Sequence, residues 1–246
     1  MFFEQGAADD IVFGRSFGSG QMNLAKLAMD GSSEGPIKWV YNQMYETMSA
    51  ANNIIYHALR IPETERSAVQ KRSLGEAYFM RAFTHYMIAY RYGRPDNGVP
   101  FVKYEDFTDY AKQINGIPTQ QATVMDNYKL IVEDLQKAAD NLDWFKDYST
   151  DNYGRATKDA ALGYMVKTYA FWAQHDKAQW PRFRLLSTRF RTKASVESIV
   201  LSTIFSICDI IVRNARDPVQ FQNDCLQIGA VGELIGNSLF PLLCIK

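Results

Sequence analysis

Apolar residues recur every three to four positions along the first two-thirds of the chain, and helix-ending residues bound each periodic stretch. Between residues 37 and 60, Val40, Met44, Met48, Ala51, Ile55 and Leu59 fall on one side of a helix. Pro36 stands just ahead of this stretch and Pro62 just behind it, where proline starts or stops a helix. A second helix is predicted over 63–92, with Val69, Leu74, Ala77, Met80, Phe83, Met87 and Tyr90 as its stripe. The turn formers Gly93-Arg94-Pro95-Asp96-Asn97-Gly98 close it, and 99–102 reads as a short extended piece. After Pro118 a third stripe appears at Val124, Tyr128, Ile131, Leu135, Ala138 and Leu142, with Thr119 or Thr123 as its cap. Residues 147–152 form a polar loop. Thr157 then caps a last helix through Ala160, Tyr164, Val166, Tyr169 and Trp172, with Asp159 favourable in its first turn. Ala160, Ala161 and Gly163 are small enough to admit a close neighbour.

Paired amphipathic helices joined by loops imply an all-α fold of tetratricopeptide-like antiparallel helix pairs with irregular loops. The strict repeat pattern is not visible, so the repeat is degenerate. Residues 11–35 are rich in glycine and serine and read as loop or short strand.

Residue usage changes near position 180. All 14 Tyr, all 4 Trp, all 9 Met and all 3 His fall in 1–180, whereas all three Cys (Cys208, Cys225, Cys244) lie beyond it. Arg182, Arg184, Arg189 and Arg191 crowd together there, followed by an apolar run at 199–212. The expected division is therefore a partial helical domain at 1–180 and an atypical tail at 181–246. The tail reads as a second domain, as a basic amphipathic element, or as an out-of-frame or mis-joined product, and the abrupt change favours the last. An odd number of Cys excludes a complete internal disulfide framework.

Charge and motifs narrow the chemistry. Lys+Arg and Asp+Glu balance at 27 each, so no global field recruits nucleic acid. No apolar stretch reaches the length of a membrane-spanning helix. The first residues have neither a basic start nor a signal-peptide apolar run, and no lipidation Cys. Gly14-Arg15-Ser16-Phe17-Gly18 matches the nucleophile-elbow pattern, but helices follow where that fold needs alternating strands, so Ser16 is read as coincidence. The His spacing gives no metal motif, and no phosphate-binding glycine loop is present. The chain is expected to be no enzyme, with no catalytic residue, no metal and no cofactor.

Five stretches in order resemble the SusD/RagB family of nutrient-binding proteins over about residues 9–180. They are Asp9-Asp10; Trp39, Tyr41, Tyr45 and Asn52-Asn53; Gly75-Glu76-Ala77 with Arg81-Ala82, Tyr92-Gly93 and Val99-Pro100; Pro118 with Glu133-Asp134-Leu135; and Gly154-Arg155-Ala156-Thr157 with Ala160-Ala161. The resemblance implies a surface lipoprotein of the Bacteroidetes outer membrane. It would bind oligosaccharides or other nutrients without cleaving them and partner a SusC-like TonB-dependent transporter. The long loop ahead of the Trp39 helix often contributes to the ligand surface in that family. Phe13, Arg15, Phe17 and Asn23 are therefore the candidate ligand-binding residues. Arg81, on an otherwise apolar helix, is expected to find a carboxylate on Glu76 or on a neighbouring helix. Periodicity alone leaves open a second role, a tetratricopeptide-like module that binds proteins.

Overall fold

A computed structural model describes residues 34–101, 103, 119–152 and 154–193, together with Asn23. Within these, the chain is a stack of five helices: α1 (Glu34–Leu59), α2 (Ala68–Tyr92), α3 (Val124–Asn141), α4 (Lys158–His175) and α5 (Trp180–Lys193). Each helix packs on the next in chain order, the arrangement of an all-α hairpin stack. A two-stranded antiparallel pair, β1 (Pro100–Phe101) and β2 (Thr119–Gln120), links α2 to α3, with Pro100 opposite Gln120 and Phe101 opposite Thr119.

The helix starts follow from side-chain chemistry. At α2, the Ser67 hydroxyl accepts from the Gln70 amide while the Gln70 side chain accepts from the Ser67 amide, so two orphan donors of the first turn are satisfied at once. At α3, Thr123 and Asp126 form the same reciprocal box, which makes Thr123 the cap and leaves Thr119 in β2. Thr157 caps α4 by accepting from the Ala160 amide.

The expected stripe of α3 is entirely buried: Val124, Tyr128, Ile131, Leu135, Ala138 and, at the cap, Leu142. The stripe expected for α2 is displaced. Val69 is 61% exposed and Met80 39%, while the buried face runs through Leu74, Tyr78, Arg81, His85 and Ile88. Two residues that look polar in sequence occupy the interior, because α2 is covered by α1 on one side and α3 on the other.

Helix α4 is not the last one. Asp176 caps a short 3-10 turn, Lys177–Gln179, and α5 follows with Pro181 in its first turn, where a missing amide costs nothing. Phe183 is fully buried, its ring edge-on to Trp180, and Leu186 packs on the same core. Helical packing therefore continues past the change in residue usage near 180.

Candidate functional site

A polar cluster lies inside the apolar core of the stack. Arg81 is fully buried, and its guanidinium donates two parallel bonds of 2.7 Å to the two oxygens of Asp134 on α3. A third bond, also 2.7 Å, goes to the amide oxygen of Asn52 on α1. One side chain thereby fastens three helices, and the planar fork satisfies both carboxylate oxygens, as a buried charge requires. The carboxylate expected for Arg81 is thus Asp134 and not Glu76.

Facing side chains of α2 and α3 pin the extended piece that follows α2. The Asn127 side chain accepts from the Val99 amide at 2.8 Å and donates to the Val99 carbonyl at 2.9 Å. This fixes the orientation of the amide, so its second hydrogen points at His85 Nε2, 2.8 Å away. Nε2 must then accept, which puts the imidazole proton on Nδ1 and keeps the ring neutral. Burial, followed by the charges of Arg81 and Lys103, pushes the His85 pKa down to about 3. Phe101 stacks on the ring at 4.4 Å. The Tyr45 hydroxyl donates to the Pro100 carbonyl at 2.8 Å, and burial raises its pKa so that it remains a donor. Gln120 donates to the Asn97 side chain and to the Gly98 carbonyl.

The motifs that carry the family resemblance hold the scaffold together. Gly75 lies where α2 meets the end of α3; a Cβ there would stand 2.8 Å from Leu142 Cγ. Glu76 receives a bidentate pair of 2.7 Å bonds from Arg155, tying α2 to the turn ahead of α4. Gly154 makes that turn with φ of 91°, a conformation other residues resist. Asp159 accepts from the Phe145 amide at 2.7 Å. These groups satisfy one another.

The surface offers different chemistry. Trp39, near the start of α1, is 61% exposed, the most open of the large aromatic residues described. Asn42 is exposed one turn further along the same helix. An open indole beside an amide suits a sugar, whose ring presents an apolar face and a rim of hydroxyls. The segment holding the sequence candidates leads directly into this end of α1. Phe13, Arg15 and Phe17 lie outside the described residues, as does Ser16, and Asn23 is helical and half-buried. Sequence reasoning passed over Trp39 because helix aromatics usually belong to the core.

Two grooves remain. One, of about 630 Å³, lies between α3, α4 and α5 and is lined by Val132, Met165, Tyr169, Arg182, Leu185 and Leu186. The other, of about 350 Å³, lies between α1 and α2 around Ile54, His57 and Val69. Among the described residues no group of three His, Cys, Asp or Glu is placed to hold a metal ion, and no helix is long and apolar enough to cross a membrane.

Helix hairpins stacked in chain order, bound by a buried Arg–Asp–Asn cluster, define an all-α hairpin-stack protein. The chain belongs to the SusD-like family described as starch-binding and associating with the outer membrane, whose model matches residues 8–170. Solved structures share the fold. A SusD homologue from Bacteroides thetaiotaomicron is 20% identical with a TM-score of 0.53, over 72% of this chain and 34% of its own. Surface glycan-binding protein A from Bacteroides fluxus is 17% identical with a TM-score of 0.51, over 72% of this chain and 34% of its own. A sugar-binding protein, so described provisionally, from Bacteroides vulgatus is 17% identical with a TM-score of 0.50, over 69% and 36%. This chain spans between 26% and 36% of the length of such structures. No curated protein matches it.

Proposed function

We propose that this chain is the helical part of a cell-surface protein that binds oligosaccharides or other nutrients without cleaving them. In this reading it passes them to a SusC-like TonB-dependent transporter in the outer membrane of a Bacteroidetes cell, where a lipid anchor holds the whole protein. Membership of a starch-binding, outer-membrane-associating family supports the setting. The observation that carries the binding role is Trp39, 61% exposed on α1 with Asn42 a turn away. Phe13, Arg15, Phe17 and Asn23, from the segment ahead of α1, are proposed to complete the ligand surface.

Native electrophoresis through gels containing soluble polysaccharides tests the reading. The chain is expected to be retarded by at least one neutral glucan or related glycan, and Trp39→Ala to run freely. Unretarded migration through starch, xylan, mannan and mucin glycans alike would overturn it.

The exposed Ile54 and Val69 beside the α1–α2 groove favour one second reading, a helical module that binds a protein. A pull-down that recovers a soluble partner and no transporter would select it.

A further inference from the structure

We propose that the groove between α1 and α2 is a second subsite for an uncharged oligosaccharide, so that one extended glycan chain lies along α1 from Trp39 to this groove. The inference rests on the reading of Trp39 as a sugar platform. Trp39, Gln43, Glu46, Ala50, Asn53 and His57 recur at alternating steps of four and three, which sets them in one line along the helix, and all six are exposed. His57 stands eighteen residues beyond Trp39, five full turns and ~27 Å further along the same side. Gln43 donates to Glu46 at 2.8 Å, which leaves the amide oxygen and the second carboxylate oxygen to accept from hydroxyls. The small Ala50 leaves the middle of the line unobstructed.

The far end of this line opens into the groove. Half-buried Ala58 and Ile61 form its floor, with Ile54 and Val69 beside them, an aliphatic surface that suits the C–H face of a sugar ring. Asn53, His57, Gln70 and Ser73 supply its polar groups, and its lining holds no Lys, Arg, Asp or Glu. Gln70 is already oriented: its Oε1 accepts from the Ser67 amide at 2.9 Å, so its own amide hydrogens are left to donate. Among the described residues the side chains of Asn53, His57 and Ser73 make no hydrogen bond, and their donors and acceptors are open to hydroxyls. Charge selects the ligand class. An anionic glycan would pass the Glu46 carboxylate and find no cation on the line or in the groove lining, whereas a neutral chain meets neither cost.

Chain length supplies the test. Maltohexaose, cellohexaose, xylohexaose and mannohexaose are each compared with their own disaccharides by titration calorimetry on the full chain. A disaccharide is too short to reach from Trp39 to the groove, so the hexasaccharide that binds is expected to do so at least about tenfold tighter. Asn53→Ala combined with His57→Ala, and separately Val69→Lys, should each cut that preference about fivefold or more. These side chains are exposed, and unchanged thermal melting of either variant confirms that the stack is intact. A hexasaccharide bound no tighter than its disaccharide, or a preference untouched by both variants, would overturn the subsite, leaving the Trp39 platform standing and the groove to a protein partner. Tighter binding of an oligogalacturonate than of any neutral chain would overturn the ligand class. No binding of any of these sugars by the wild type would overturn platform and groove together.

Discussion

Arg81 and Asp134, 53 residues apart in sequence, meet inside the α2–α3 interface through two parallel bonds of 2.7 Å, with Asn52 of α1 closing the third side. Removing one partner leaves a buried charge without compensation. Asp134→Asn is therefore expected to lower unfolding free energy by about 3–5 kcal/mol in urea denaturation. Replacing both, with Arg81→Met and Asp134→Leu, should recover most of that loss, because the charge is then gone as well.

The Glu76–Arg155 fork has the same bond lengths but lies at the surface, with the Arg155 side chain 43% exposed. Water and salt weaken such a pair. Arg155→Ala should move the denaturation midpoint much less than Asp134→Asn, and 0.5 M salt should shrink its effect further. Equal effects from the two variants would contradict the ranking by burial.

His85 gives stability a pH signature. The unfolded imidazole protonates near 6.5 and the native one only near 3, so in between the unfolded state holds a proton that the native state lacks. The His85 contribution is intact above pH 6.5 and falls toward pH 3 by up to about 1.4 kcal/mol per pH unit. His85→Gln removes that term, so the stability difference between wild type and variant should narrow or reverse in denaturation at pH 7, 5.5 and 4. A constant difference would show that His85 titrates normally.

Gly75 separates helix propensity from packing. Alanine favours a helix interior by about 1 kcal/mol. Yet the added Cβ would stand 2.8 Å from Leu142 Cγ and 3.0 Å from Asn141 Cβ. Overpacking of this kind costs about 1–3 kcal/mol, so Gly75→Ala should be neutral to destabilising, and Gly75→Leu clearly destabilising, by thermal melting.

Much of the scaffold was legible from pattern. The α3 stripe is buried at every expected position because one face of that helix is simply apolar. α2 misled because its interior is partly built of Arg81 and His85, whose partners Asp134 and Asn127 come from α3 and are invisible to local periodicity. Both Ala77 and Leu74 were placed correctly; Val69 and Met80 were not. α5 went unseen because its sequence, with five basic residues and a proline, carries a poor amphipathic stripe; Trp180, Phe183 and Leu186 reach the core at uneven spacing. The proposed ligand surface was the least legible part. The sequence candidates cluster ahead of α1, while Trp39 resembles any core aromatic until its exposure is known.

The clamp on residues 99–101 has an evolutionary consequence. Asn127, Tyr45 and the stacked His85 grip the chain as it leaves α2, and β2 fastens it again before α3. With both ends moored, lengthening the stretch between Phe101 and Thr119 is thermodynamically cheap, since each doubling of a loop costs only about 0.6 kcal/mol. The helices become a fixed chassis, its geometry set at the two moorings and not by the length of chain that joins them.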